Sequence, residues 1–309
     1  MKCTQTMHNP RERLAGCCTW PLLVLCAAVA GWVGGCRSLS GVQEPAKPAA
    51  TAPKDQETFR WPEGKRAAIS LTFDDARVSQ VEQGVPILDA YGVKATFYVS
   101  PSGIERRPAD WKKAAATGHE MGNHTLKHPC SGNFRWSRHK ALEDYTLEQM
   151  GDELDEASAV IEGLLGVRAT TFAYTCGQTF VGRGVRTRSY VPVVAERFIV
   201  GRGAYDEAAN DPAYCDLAQA TGIELDGLDF EQAKPFVEQA AKEGRWLIFF
   251  GHDVGKPGRQ TVPASTLEAL CRYANDPSNQ LWIDTVDAIG TYILKKRAEN
   301  DGSTRTGGL

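Results

Sequence analysis

No two cysteines of this chain stand in a CxxC pair, which removes the usual scaffold of a cysteine-based zinc knuckle. No GxGxxG follows the first strand-like run, so dinucleotide binding lacks the glycines that let a backbone approach a pyrophosphate. Positive charge is not in excess: 35 Lys and Arg face 38 Asp and Glu, a net charge of -3, which leaves no electrostatic footprint for nucleic acid. Residues 20–35 are apolar, but too short and too interrupted for the roughly 20 residues of a membrane-spanning helix. There is no internal repeat, and nothing indicates a protein partner.

What is present begins with that apolar stretch. Arg11 and Arg13 precede it, the order of a secretory signal. It ends in Val33-Gly34-Gly35-Cys36, which resembles the lipobox of bacterial lipoprotein signals. The resemblance implies cleavage before Cys36 and a lipid on that residue. Because two or more acyl chains give stable anchoring, the expectation is an exported protein held on a membrane through Cys36, in the periplasm or at the cell surface. A plain exported protein whose signal contains a cysteine is the alternative. Residues 37–59, rich in Pro, Ala, Gln and Lys, read as a flexible tether. A catalytic domain over 60–298 and a polar tail over 299–309 complete the division. Five of nine cysteines fall in the signal; Cys130, Cys176, Cys215 and Cys271 remain, and four cysteines allow three pairings.

At 42% hydrophobic and 24% charged residues the chain has ample material for a core. From Trp61 onward, strand-like runs at 67–75, 94–100, 169–174, 198–202, 245–250 and 280–285 alternate with helical spacing at 81–90, 110–117, 142–165, 230–242, 267–274 and 286–296. This is the pattern of an α/β domain with a mainly parallel sheet. Six to eight βα units suit a complete or slightly irregular barrel; a doubly wound open sheet is the alternative.

The run AAISLTFDD, residues 67–75, is an apolar strand that ends on adjacent carboxylates, Asp74 and Asp75. In barrel enzymes chemistry sits at strand ends, although acids are also common wherever a strand reaches water. Strand alternation would send the two side chains to opposite faces, so a shared site requires the strand to end or bulge at the pair. His124 and His128, in NHTLKHP, stand four apart. Extended chain would separate them by about 13 Å and one helical turn would bring them within about 6 Å, so a single turn is expected if they act together. Two His and one Asp with an open position is the composition of a hydrolytic metal site. His119 reads as structural and His139 as exposed, while Trp111, Trp136, Tyr190 and Tyr205 are aromatic candidates for stacking on a ligand.

LTFDDA, KATFYV, GNHTLKHP and IFFGHD, in this order over about 61–294, resemble the polysaccharide deacetylase (NodB-homology) family of carbohydrate esterases. The resemblance implies a distorted (β/α)7 barrel, with Asp74 as catalytic base and Asp75, His124 and His128 as metal ligands. It further implies His252 as general acid and the backbone N–H of Cys176 as oxyanion donor. The implied reaction is metal-dependent removal of N-acetyl groups from an amino-sugar polysaccharide such as peptidoglycan, a chitin-like polymer or an exopolysaccharide. The implied cofactor is a divalent metal, zinc foremost, with cobalt, nickel or manganese as alternatives. O-acetyl ester hydrolysis, or glycan binding without turnover, are the rival functions. The chain departs from the family's third motif, F-R-x-P-[YF]-G, where it has FAYTCG over 172–177. Arg and Pro are both missing, so Arg183, Arg186 and Arg202 are the candidates to orient Asp74. Asp206, Asp211 and Asp216 are the candidates to orient His252.

Overall fold

The computed structural model describes residues 59–306, all within the unit Asp55–Leu309. The expected signal, Cys36 and nearly all of the tether lie outside the described residues. Among the described residues no helix is long and apolar enough to cross a membrane.

Eight strands form one parallel sheet: β1 (Ala67–Asp74), β2 (Thr96–Val99), β3 (Glu120–Asn123), β4 (Thr171–Ala173), β5 (Val200–Arg202), β6 (Ile223–Glu224), β7 (Trp246–Gly251) and β8 (Leu281–Ile283). Their order is β5-β4-β3-β2-β1-β7-β6, with β8 against the start of β1. Ala220 then reaches the free edge of β5, its N–H donating to Gly201 O at 2.8 Å while Gly203 N–H donates to Ala220 O at 2.7 Å. The two sheet edges are thereby brought together, and the curl is a distorted (β/α)7 barrel. The helices are α1 (Val85–Ala90), α2 (Pro101–Ile104), α3 (Pro108–Ala116), α4 (Leu147–Leu165), α5 (Val191–Ala195), α6 (Phe230–Glu243), α7 (Ala264–Asn275) and α8 (Val286–Thr306).

β1 organises the packing because it is buried along its whole length. Ala67, Ile69, Leu71 and Phe73 alternate onto one face and join Leu88 of α1, Trp111 of α3, Ile161 of α4, Val237 of α6 and Leu270 of α7 in the main core. The other face carries Ser70, Thr72 and Asp74, all buried. Buried hydroxyls need partners: Ser70 Oγ accepts from Trp246 Nε1 at 3.1 Å, and Thr72 Oγ1 donates to Phe249 O at 2.8 Å. A strand with one oily and one polar buried face therefore delivers Asp74 already inside the barrel.

The long helix begins later than its apolar spacing alone suggests. Thr146 caps α4, its Oγ1 accepting from Gln149 N–H while Gln149 Oε1 accepts from Thr146 N–H. Such a reciprocal box fixes the first turn, and Leu142–Asp144 is left as a separate 3-10 turn. At its far end Gly166 takes φ +74°, the left-handed stop that glycine adopts without strain. α8 continues to Thr306, past residue 296, with no proline to stop it. β6 and the two-residue hairpin strands Phe180–Val181 and Arg188–Ser189 have no counterpart in the sequence reading, since two residues carry no periodicity.

Candidate active site

β1 ends at Asp74, and the next two residues leave the strand: Asp75 has φ +76° and Ala76 φ +49°. Left-handed backbone is unfavourable for non-glycine residues, so two in succession make an abrupt turn. Gly103 of α2 lets that turn pack closely, because a Cβ there would lie 2.6 Å from both Ala76 Cβ and Asp75 O. The turn aims Asp74 and Asp75 into one cleft, which a regular strand would not do.

The histidines meet Asp75 through a bend rather than the helical turn expected for them. β3 ends at Asn123; Thr125 and His128 both have positive φ, 63° and 53°. Side chains close the bend: Asn123 Oδ1 accepts from Thr125 N–H at 2.7 Å, and Thr125 Oγ1 from His128 N–H at 2.8 Å. Pro129 disfavours helical backbone at the preceding residue, so Asn and Thr, which bond their own backbone readily, supply the turn instead. The two imidazole centroids lie 4.8 Å apart.

Asp75 Oδ1 stands 3.6 Å from His124 Nε2 and 3.3 Å from His128 Nε2. Ligands about 2.0–2.1 Å from a tetrahedral ion lie about 3.3–3.4 Å from one another, so these three atoms fit the spacing of a divalent metal site. The other ring nitrogen of His124 supports that fit. His124 Nδ1 lies 2.9 Å from Ala173 O; a carbonyl only accepts, so Nδ1 carries the hydrogen and Nε2 keeps its lone pair. Burial pushes His124 down to about 4, with His128 and Arg202 adding to the effect and Asp74 and Asp75 opposing it. Burial also opposes the charge on Asp75, but the His128 hydrogen bond and the nearby histidines hold it well below the usual carboxylate range. Arg77 grips the other carboxylate oxygen at 3.0 Å and reaches Asp253 at 2.8 Å. That bridge fixes which oxygen of Asp75 faces the histidines.

Arg202, of the three arginines considered, is the one at Asp74. It enters from the end of β5, is fully buried, and its Nη2 donates to Asp74 Oδ1. The rings of Tyr98 and Phe250 lie 5.1 and 5.0 Å from its guanidinium. Arg183 instead pairs with Asp144, and Arg186 is exposed. Burial works against the Asp74 charge, yet Arg202, His124 and His252 outweigh it and lower its pKa.

His252 follows the end of β7 and lines the same cleft, of about 570 Å³, as Asp74, Asp75, His124, His128 and Cys176. None of the expected carboxylates holds it. Asp226, fully buried at its side chain, accepts from His252 Nδ1 at 2.5 Å and from the His252 backbone N–H at 3.0 Å. Asp206 accepts from Gly222 N–H, and Asp211 and Asp216 from N–H groups of their own loops, those of Ala213 and Ala218. Burial alone would lower the His252 pKa, but the Asp226 bond and the charge of Asp74 raise it overall. Gln80, also unforeseen, joins the two halves of the site: its buried Nε2 donates to Asp74 O at 2.6 Å and His252 O at 2.8 Å.

Cys176 sits in a one-turn helix with φ +55°. Its neighbours Gly177 and Gln178 donate their N–H groups to Tyr174 O and Thr175 O, whereas no hydrogen bond within the described residues takes up the Cys176 N–H. Cys130 and Cys176 form a disulfide, leaving Cys215 and Cys271 free. Of the four aromatic candidates, Trp111 and Tyr190 are core residues, while Trp136 and Tyr205 stand exposed at the cleft, 50% and 59% accessible. His119 is buried, with Nδ1 accepting from Ala95 N–H and Nε2 facing Asp89; His139 is exposed.

Residues 61–187 match the model of the polysaccharide deacetylase family. A gellan lyase of a Bacillus species is 32% identical over 149 residues, 48% of this chain and 5% of that protein. The peptidoglycan-N-acetylglucosamine deacetylase PgdA of Listeria monocytogenes is 42% identical over 62 residues, 20% of this chain and 13% of that protein. The chain thus spans only a small part of these curated relatives. A Mycobacterium smegmatis structure assigned to the polysaccharide deacetylases superposes with a TM-score of 0.57 at 16% identity, over 78% of this chain and 94% of that one. One from Pseudomonas aeruginosa PAO1, assigned likewise, gives 0.55 at 16% identity, over 75% and 92%. Such identities speak to the fold, a distorted (β/α)7 barrel, and the sequence match is to the polysaccharide deacetylase family model over residues 61–187.

Proposed function

We propose that this protein is a metal-dependent hydrolase that removes N-acetyl groups from an amino-sugar polysaccharide. The observation that carries the reading is the convergence in one cleft of Asp75, His124 and His128 with an Arg202-held Asp74 and an Asp226-held His252. Asp75, His124 and His128 would hold a divalent ion, zinc foremost, which would bring the acidity of water to near neutral pH and polarise the acetyl carbonyl. Asp74, kept ionised by Arg202, takes the proton from the attacking water. The Cys176 N–H donates to the acetyl oxygen as charge builds on it, a contribution of the kind that preorganised donors make. His252, with Nδ1 committed to Asp226, presents a protonated Nε2 to the departing nitrogen. An amide nitrogen leaves poorly without that proton, which is why a raised His252 pKa suits N-deacetylation.

Trp136 and Tyr205 are placed to stack on sugar faces at the rim. The likeness to a peptidoglycan deacetylase supports peptidoglycan among the candidate polymers, beside chitin-like chains and exopolysaccharides. O-acetyl ester hydrolysis is the second reading, and glycan binding without turnover the third; a binding module has no use for the Asp226–His252 pair. Acetate release from peptidoglycan, chitin oligomers and acetylated xylan, measured side by side, separates them. Release from xylan alone would move the assignment to an esterase, and glycan retention without acetate would end the catalytic reading.

Arg202→Met tests the replacement of the third-motif arginine. Breaking a buried ion pair costs about 3–5 kcal/mol, so a lower melting temperature is expected. Asp74 has a depressed folded pKa, so the pair's stabilisation is present above the unfolded value of about 3.9 and is lost as pH falls through the lower folded value. Without Arg202 the Asp74 pKa rises, and the acid limb of the kcat/KM profile moves to higher pH. An acid limb that stays in place would remove Arg202 from this role.

Export and lipid anchoring at Cys36 complete the proposal. The Cys130–Cys176 disulfide supports an oxidising compartment. Cys36→Ser should shift the protein from the membrane to the soluble exported fraction, and unchanged membrane association would argue against the anchor.

A further inference from the structure

The Cys130–Cys176 disulfide joins two loops of the proposed machinery, those that follow the paired strands β3 and β4. Cys130 lies two residues beyond His128, and its Sγ is 3.7 Å from His128 Nδ1, behind the ring whose Nε2 faces Asp75. Cys176 lines the same cleft, and its backbone N–H is the one assigned above to the acetyl oxygen. The two segments are 46 residues apart in sequence, and two hydrogen bonds flank the cross-link: Thr175 Oγ1 donates to Pro129 O at 2.5 Å, and Ser131 N–H to Gln178 Oε1 at 2.7 Å. Both segments hold strained backbone, with positive φ at His128 and at Cys176. Such conformations persist only where their surroundings over-determine them. This is also where the chain has Thr175 in place of the proline of the motif it resembles.

We propose that the Cys130–Cys176 disulfide is a positioning brace that holds His128 and the Cys176 N–H in one frame, so that metal affinity and turnover both depend on its oxidised state. The inference rests on the deacetylase reading for its catalytic half; its metal-binding half stands on geometry alone. Reduction by a small dithiol breaks the S–S bond, places two electrons and two protons on the two sulfurs, and leaves the dithiol as a cyclic disulfide. His128 Nδ1 then faces a mobile thiol, and the Cys176 turn is held by hydrogen bonds only. Outer partners of metal-ligating histidines are worth about 10–100-fold in affinity or activity, which sets the size of the expected loss.

The test compares the parent with Cys130→Ala/Cys176→Ala, both checked for folding by far-UV circular dichroism. Co2+ affinity is read from the visible absorbance of the bound ion, and kcat and KM from acetate release. The brace predicts Co2+ binding weakened about 10-fold or more and kcat lowered about 10–100-fold, with KM within about twofold. Affinity and kcat per folded molecule equal to the parent's would overturn it. Should the double variant fail to fold, the parent is reduced with dithiothreitol, freed of reductant and assayed before and after reoxidation. A reversible loss of Co2+ affinity supports the brace, and unchanged affinity in the reduced chain contradicts it. If the parent binds Co2+ but releases no acetate from any substrate, the deacetylase reading fails, while the affinity comparison still decides the brace.

Discussion

Asp74→Asn is expected to lower kcat for acetate release by about 10³-fold, within the range a positioned general base contributes, while the chain keeps its metal. At the end of β1, alternation puts Asp74 inside the barrel with Ser70 and Thr72, and Asp75 departs through a left-handed turn. Only Asp75 faces the histidines at ligand spacing, whereas Asp74 is bonded to Arg202. Asparagine keeps the shape and an acceptor for Arg202 but cannot take a proton at neutral pH. Metal content at the parent level with turnover close to background is the expected pair of results. Turnover within about threefold of the parent would exclude Asp74 as the base, since that is below the smallest effect of about 10²-fold such a group gives.

The second large effect is the loss of metal from His124→Ala. His124 is buried, presents Nε2 to Asp75 and is locked by its Nδ1–H bond to Ala173 O. Losing even the outer partner of a metal-bound histidine costs about 10–100-fold in affinity, so deleting a first ligand should exceed that, and dialysed protein should carry well under one ion per chain. Acetate release should fall with the metal and recover only in part when the ion is added in large excess. His139→Ala is the matched control, because His139 is exposed and outside the cleft; it should change neither metal content nor rate. Full metal occupancy in the His124 variant would contradict its assignment as a ligand.

The fold was legible because its two longest strands, β1 and β7, are fully buried apolar runs and its helices have clear spacing, and β1 in particular reads residue by residue. The turn at Asp74–Asp75 was legible too, since one site for both acids contradicts strand alternation unless the strand ends there. What the pattern could not supply is the long-range partnering. Asp226 holds His252 across 26 residues and Arg202 holds Asp74 across 128. Nothing local distinguishes Asp226 from Asp206, Asp211 or Asp216, because its selection depends on β6 lying beside β7, and β6 is two residues long. Arg202 was one of three arginines that sequence left equal; its place at the end of β5, two strands from β3 across β4, is a matter of sheet order. Gln80 and Arg77 had weaker signals still: Arg77 stands two residues past Asp75, and Gln80 only opens the helical run toward α1. The His124–His128 bend was mistaken for a helical turn because spacing alone cannot separate it from one closed by Asn123 and Thr125.

The most direct measurement is acetate release by chelator-stripped protein as zinc is returned in known equivalents, with peptidoglycan and chitin oligomers as substrates and bound metal determined in the same samples. The account predicts no release from the stripped protein, and a rise that levels off at one bound ion per chain. Release that is unaffected by stripping, from a chain that binds no metal, would contradict it.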